Sequence, residues 1–175
     1  DPDAVIAVAD TAESGKDSTA MPIAALYGDE VYIVDVVYDD SPAEVTKPEC
    51  AKCLIDNKVG DALFESNNAG MYFARDVAEL VKNAGFNTSI RTKRTISNKQ
   101  TRIEFASDGI KKHFYFKHPS TYKRGCQYWG FMQEVTTYVR SGKVAHDDAP
   151  DSLSLLENEI RNRISGKIEI FKRPF

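Results

Sequence analysis

At 175 residues, with 42% hydrophobic and 28% charged side chains, the chain has the composition of one soluble globular domain able to bury its own core. No stretch approaches the roughly 18 apolar residues of a membrane span, and the acidic start Asp1-Pro2-Asp3 reads as neither a signal peptide nor a transit peptide. A net charge of −3 speaks against a uniformly basic nucleic-acid binder, and three cysteines, an odd number, speak for a reducing compartment rather than a disulfide framework.

Residues 4–10, AVIAVAD, read as a buried strand that ends in an acid. A Ser-, Gly- and Lys-rich loop follows over 11–19, then a second strand over 20–27. Gly28-Asp29 is a turn signal between two apolar runs, and 31–38, VYIVDVVY, is a β-branched third strand. These three predict an antiparallel meander. Ser41-Pro42 starts a helix that runs to about Lys58, weakened or kinked at Pro48. Cys50-x-x-Cys53 lies within it. The spacing suits zinc, but no second Cys/His pair answers it, so two residues on one helical face is the better reading.

A short strand over 61–65, DALFE, again ends in an acid. After a loop at 67–70, a helix over 71–83 carries Phe73, Val77, Leu80 and Val81 on one face, with Gly85 as its stop. A strand over 87–94, a basic loop over 94–99, a helix near 99–107 and a strand over 112–117 come next. Helices over 126–139 and from Asp148 to about Ile164 follow, and the tail over 167–173 reads as a short strand. The order predicts an α/β domain with a mixed sheet, and no internal repeat is present.

Charge is unevenly spread. Residues 91–124 hold Arg91, Lys93, Arg94, Lys99, Arg102, Lys111, Lys112, Lys117, Lys123 and Arg124, against only Glu104 and Asp108. Acids gather over 1–65 and 146–159. Such a chain offers a metal site beside a phosphate-binding surface, or simply two solvated faces.

Asp10 and Glu65 each end a strand, and Asp148 and Asp151 start a late helix. Sites in α/β sheets collect at the carboxyl ends of strands. If the first and fourth strands are neighbours, Asp10 and Glu65 lie side by side, and the late helix can bring Asp151 to them. Clustered carboxylates repel one another unless a cation intervenes, and hard Mg²⁺ or Mn²⁺ ions suit oxygen donors. Each acid also has a plainer reading. Asp10 can cap a loop, Asp148 can be an N-cap before Pro150, and Asp151 suits the helix dipole.

Three segments carry a resemblance. Asp10-Thr11-Ala12-Glu13-Ser14-Gly15-Lys16-Asp17-Ser18-Thr19 is a strand-end Asp followed by a Gly-x-Asp turn. Leu63-Phe64-Glu65-Ser66-Asn67 is a second acidic motif, and His146-Asp147-Asp148-Ala149-Pro150-Asp151-Ser152-Leu153 is a third. Between them stands Asn98-Lys99-Gln100-Thr101-Arg102-Ile103, a basic Lys-x-x-Arg-Ile segment. Together, over residues 4 to about 165, they resemble the nuclease domain of tailed-phage large terminases, within the RNase H-like (retroviral-integrase-like) superfamily.

The resemblance implies an RNase H-like fold, with an antiparallel first half and a parallel second half of the sheet flanked by helices, as a single domain over 1–175. It implies an endonuclease that cuts concatemeric phage DNA during packaging in the host cytoplasm, with two Mg²⁺ or Mn²⁺ ions and little sequence preference. Asp10 would bridge both ions, Glu65 would hold one and Asp148 or Asp151 the other. Asp17, Asp147 and His146 are outer candidates, His146 for proton transfer or positioning. Lys93, Arg94, Lys99 and Arg102 would contact phosphates of double-stranded DNA, and the stretch 140–143 would cover the cleft. A packaging ATPase domain, a portal and a small terminase are the implied partners. No G-x-x-x-x-G-K-[ST] loop occurs in this chain, so the ATPase is expected elsewhere in a longer polypeptide. The alternatives are another RNase H-like nuclease (a Holliday-junction resolvase or a transposase core), a non-catalytic DNA-binding assembly module, and acids that only cap helices.

Overall fold

The computed structural model describes residues 1–11, 18–66, 70–139 and 147–165. The meander forms as expected. β1 (Ala4–Ala9), β2 (Thr19–Tyr27) and β3 (Glu30–Asp39) pair antiparallel in sequence, with Gly28 in the left-handed conformation at the β2–β3 turn. β4 (Asp61–Glu65) returns parallel to β1, and β5 (Ser89–Lys93) lies parallel to β4. β6 (Phe114–Phe116) pairs parallel with β3 at the opposite edge. The six-stranded order is β5-β4-β1-β2-β3-β6. This is the mixed α/β sheet of the RNase H-like fold.

The central strands are buried on both faces, so their sequences are continuous apolar runs. One face packs against α1 (Ala43–Asp56) and α2 (Gly70–Asn83), around Met21, Leu54, Phe64 and Val77. The other packs against α4 (Gln127–Thr137) and α5 (Asp148–Ser165), around Ile6, Val8, Phe131, Leu153 and Leu156. α3 (Lys99–His113) lies along α5.

α1 runs through Pro48 as expected and ends at Asp56, with Cys50, Cys53 and Leu54 behind that proline buried in the core; three other local expectations are corrected. Both thiols are free, and burial pushes them well above the ordinary cysteine range. Leu80 stays 39% exposed, since the buried stripe of α2 follows Gly70, Phe73, Ala74, Val77 and Val81. α3 continues past Ser107 to His113, which shortens the expected 112–117 strand to 114–116. A Cβ at Gly109 would lie 2.5 Å from Glu157 Oε1 of α5, the end of a flexible side chain. The expected tail strand over 167–173 lies outside the described residues.

Candidate active site

Sheet register brings the first two acids together. Ala9 pairs with Phe64, so Asp10 and Glu65 are the next residues of two adjacent parallel strands. Side chains alternate along a strand, and Ile6, Val8 and Leu63 face the α5 layer. Asp10 and Glu65 continue those rows and face α5 as well. From α5, Asp151 reaches the same place. One carboxylate oxygen each from Asp10, Glu65 and Asp151 lies within 4.8 Å of the others.

The triad is largely buried: Asp151 is 1% exposed, Glu65 9% and the Asp10 side chain 17%. Burial pushes the Asp10 carboxyl from its ordinary 3.8 up to about 8; Lys99 pulls it down, while Asp151 and Glu65 push it further up. Glu65 Oε1 is buried with no hydrogen-bond partner, and the Arg102 guanidinium is 4.0 Å away. Three carboxylates with oxygens within 4.8 Å of one another, one of them carrying a buried oxygen without a hydrogen-bond partner, make an all-oxygen donor set. The donor set therefore fits a hard divalent ion.

Two cations from α3 neutralise this centre. Arg102 makes a two-pronged contact with Asp151, at 2.8 and 2.6 Å. Lys99 Nζ sits 2.7 Å from Asp147, 3.0 Å from Asp148, 3.6 Å from Asp151 and 3.9 Å from Asp10. Burial opposes the Lys99 charge, but these carboxylates hold its pKa well above the usual lysine range. Lys99 and Arg102, expected to contact phosphates, are held here by these carboxylates. One turn apart on α3, they turn inward, because α5 presents uncompensated carboxylates there. Asn98 caps α3, accepting from the Thr101 N–H at 3.2 Å.

Asp148 is buried beside the triad, accepting from the Ser18 N–H at 2.9 Å and from the Lys99 ammonium that also meets Asp10 and Asp151. Asp147 meets Lys99 at the rim. Lys93 pairs in register with Glu65, and with Arg94 it stays exposed. These two basic residues and Glu65 line a cavity of about 190 Å³ floored by Val8, Leu63 and Leu155. Arg91 is committed elsewhere, to Asp61 at 3.1 Å and Glu159 at 2.8 Å. Asp17, His146 and the 140–143 stretch lie outside the described residues.

Gly70 escaped the sequence reading. At the start of α2, a Cβ on it would lie 2.1 Å from the Glu65 carbonyl oxygen and 3.1 Å from Thr11 Oγ1. Its signal was a glycine five residues beyond the second acid, at a helix start where polar residues are commoner.

Residues 9–113 match the family model described as Terminase Bacteriophage T7, Ribonuclease H-like domain. The chain belongs to this terminase family. The matched span holds Asp10, Glu65, Lys99 and Arg102, while Asp148 and Asp151 lie beyond it. Membership supports a nuclease. No curated protein sequence matches the chain.

Solved structures share the terminase fold at low identity. The human cytomegalovirus terminase nuclease domain, soaked with Mn and inhibitor-bound, is 12% identical with a TM-score of 0.61, covering 95% of this chain and 87% of that one. The nuclease domain of the large terminase subunit gp2 of bacterial virus Sf6 is 12% identical with a TM-score of 0.60, covering 89% and 88%. In the large terminase of a thermophilic bacteriophage in complex with ADP, the match is 14% identical with a TM-score of 0.58, covering 92% of this chain but 40% of that one.

Proposed function

We propose that this terminase domain is a divalent-metal-dependent endonuclease that hydrolyses phosphodiester bonds of double-stranded DNA. The observation that carries the reading is the meeting of the Asp10, Glu65 and Asp151 carboxylates within 4.8 Å at a largely buried site. Asp10, flanked by Glu65 on its strand neighbour and by α5, would be the central ligand of a site for Mg²⁺ or Mn²⁺ ions, with Glu65 and either Asp148 or Asp151 as the further ligands. Bound there, such ions supply an activated water nucleophile and charge stabilisation of the leaving oxygen. Until then Lys99 and Arg102 keep the carboxylates paired. Lys93 and Arg94, exposed beside Glu65, hold the phosphate backbone without reading bases.

The reading extends to a single nuclease domain over 1–175 and to an ATPase domain in the same polypeptide, supported by the thermophilic phage's large terminase, of which this domain spans 40%. The cutting of concatemeric DNA in the host cytoplasm, with a portal and small terminase as partners, is proposed on family membership. The deciding experiment incubates the domain with supercoiled plasmid, linear duplex and a four-way junction in Mn²⁺ or Mg²⁺. Nicking and linearisation of plasmid, abolished by EDTA, is expected. Cleavage of the junction alone would make it a resolvase, and no cleavage of any substrate would end the nuclease reading.

Two variants test the supporting parts. Lys93→Ala with Arg94→Ala should weaken duplex binding and flatten the salt dependence of log K by roughly 1–2 units of slope, measured by fluorescence anisotropy. An unchanged slope would remove these residues from the DNA surface. Gly70→Ala should displace the Glu65 backbone and cut the nicking rate by roughly 10²-fold while the circular dichroism spectrum is retained.

A further inference from the structure

The carboxylates of α5 are useful only if its first turn is held at a fixed height over the sheet, and the N-terminal N–H groups of that turn need acceptors. Asp151 N–H donates to the Asp147 carbonyl at 3.0 Å, and Pro150 has no N–H. The Asp147 side chain, at the position of an ordinary cap, is turned to Lys99. Ala149 N–H instead donates to Glu134 Oε1 of α4, at 2.9 Å. The other carboxylate oxygen of Glu134 accepts from the Tyr38 hydroxyl.

Tyr38 is not an arbitrary neighbour. It pairs with Ala20, and Ala20 bridges Asp10, so one row across the sheet reads Tyr38, Ala20, Asp10 and, on β4, Glu65. Ala20, fully buried, has too small a side chain to fill the space between the tyrosine and the acids. The start of α5 lies over that row. Tyr38 is itself fixed: its N–H donates to Gln127 Oε1 at 2.9 Å, and its ring meets Phe131 edge-on at 5.9 Å between centroids. Burial, then the bond to Glu134, raises its pKa, so the phenol stays a donor. A second carboxylate this close to Asp148 works against the charge balance of the centre, so the benefit of Glu134 lies in where it puts the helix.

We propose that Glu134, steered by Tyr38, is a positioning residue: it caps α5 in trans and sets the placement of Asp148 and Asp151 against Asp10 and Glu65. The inference rests on the metal-site reading above. Its test therefore has one readout that needs no metal.

Glu134→Ala, Glu134→Gln and Tyr38→Phe are compared with the wild-type chain by hydrogen exchange over residues 147–152 and by calorimetric titration with Mn²⁺ alone. Glu134→Ala should speed exchange of the Ala149 amide at least tenfold and weaken Mn²⁺ binding by about tenfold, without global unfolding. Gln keeps a carbonyl acceptor, so Glu134→Gln should stay within about threefold of wild type in both. Tyr38→Phe, which keeps the ring packing, should fall between them and serves if Glu134→Ala does not fold. Wild-type exchange at Ala149 in Glu134→Ala overturns the cap. Faster exchange with unchanged Mn²⁺ affinity reduces Glu134 to a structural cap and overturns the positioning role. A Gln variant as impaired as Ala also overturns it. A wild-type chain that takes up no Mn²⁺ removes the metal reading, and the positioning role with it, while exchange still decides the cap.

Discussion

Asp10→Asn is expected to lower Mn²⁺-dependent plasmid nicking by roughly 10²–10³-fold or more, the scale of losing one group that places positive charge at the reacting phosphate. The same substitution should raise the stability of the metal-free domain at neutral pH. The folded-state pKa of Asp10 is about 8, above its ordinary 3.8. The folded chain therefore binds a proton that the unfolded chain has released. The associated stability is fully present below about pH 4 and is lost as the pH climbs towards 8. Melting temperature measured without divalent ions should fall between pH 5 and 8 in the wild type, and fall less in Asp10→Asn. Saturating Mn²⁺ should flatten the wild-type profile as well. Full nicking activity in Asp10→Asn would end the catalytic assignment, and a wild-type profile that rises with pH would end the account of the buried carboxyl.

The second large effect is expected at Arg102. Its side chain is 9% exposed and that of Asp151 2%, so the pair is buried and its two contacts are good. Removing one member of a buried pair leaves the other charge stranded, at a cost of about 3–5 kcal/mol. Arg102→Ala should lose stability of that order in urea titrations without metal. Saturating Mn²⁺ should recover most of it, because a divalent ion supplies the missing positive charge. Duplex affinity should barely change, since the guanidinium points to the acids. Lys99→Ala should behave alike and bind Mn²⁺ more tightly, the ammonium no longer competing for the same oxygens. Undiminished metal-free stability in Arg102→Ala would show that Asp151 needs no counter-charge.

The sheet was legible because its signals are local and periodic. Apolar runs bounded by Gly28 and by the polar loop after Asp10 define the strands, and two runs ending in acids anticipate Asp10 beside Glu65. What was not legible depended on partners distant in sequence. Lys99 and Arg102 read as surface charge until α5 faces them. Glu134 has no local mark, since a glutamate on an amphipathic helix ordinarily faces solvent, and its bonds to Ala149 and Tyr38 distinguish it. Gly70 was visible as a glycine but not as the neighbour of the Glu65 carbonyl.

The three carboxylates come from positions 10, 65 and 151, and the last arrives on the final described helix. A ribosome-bound chain that has delivered β1 to β5 already carries Asp10 and Glu65, yet the third carboxylate and the roof above them are still to be synthesised. On the proposed nuclease reading, cleavage waits until α5 has been made, and a chain cut short before that helix carries only an unfinished centre.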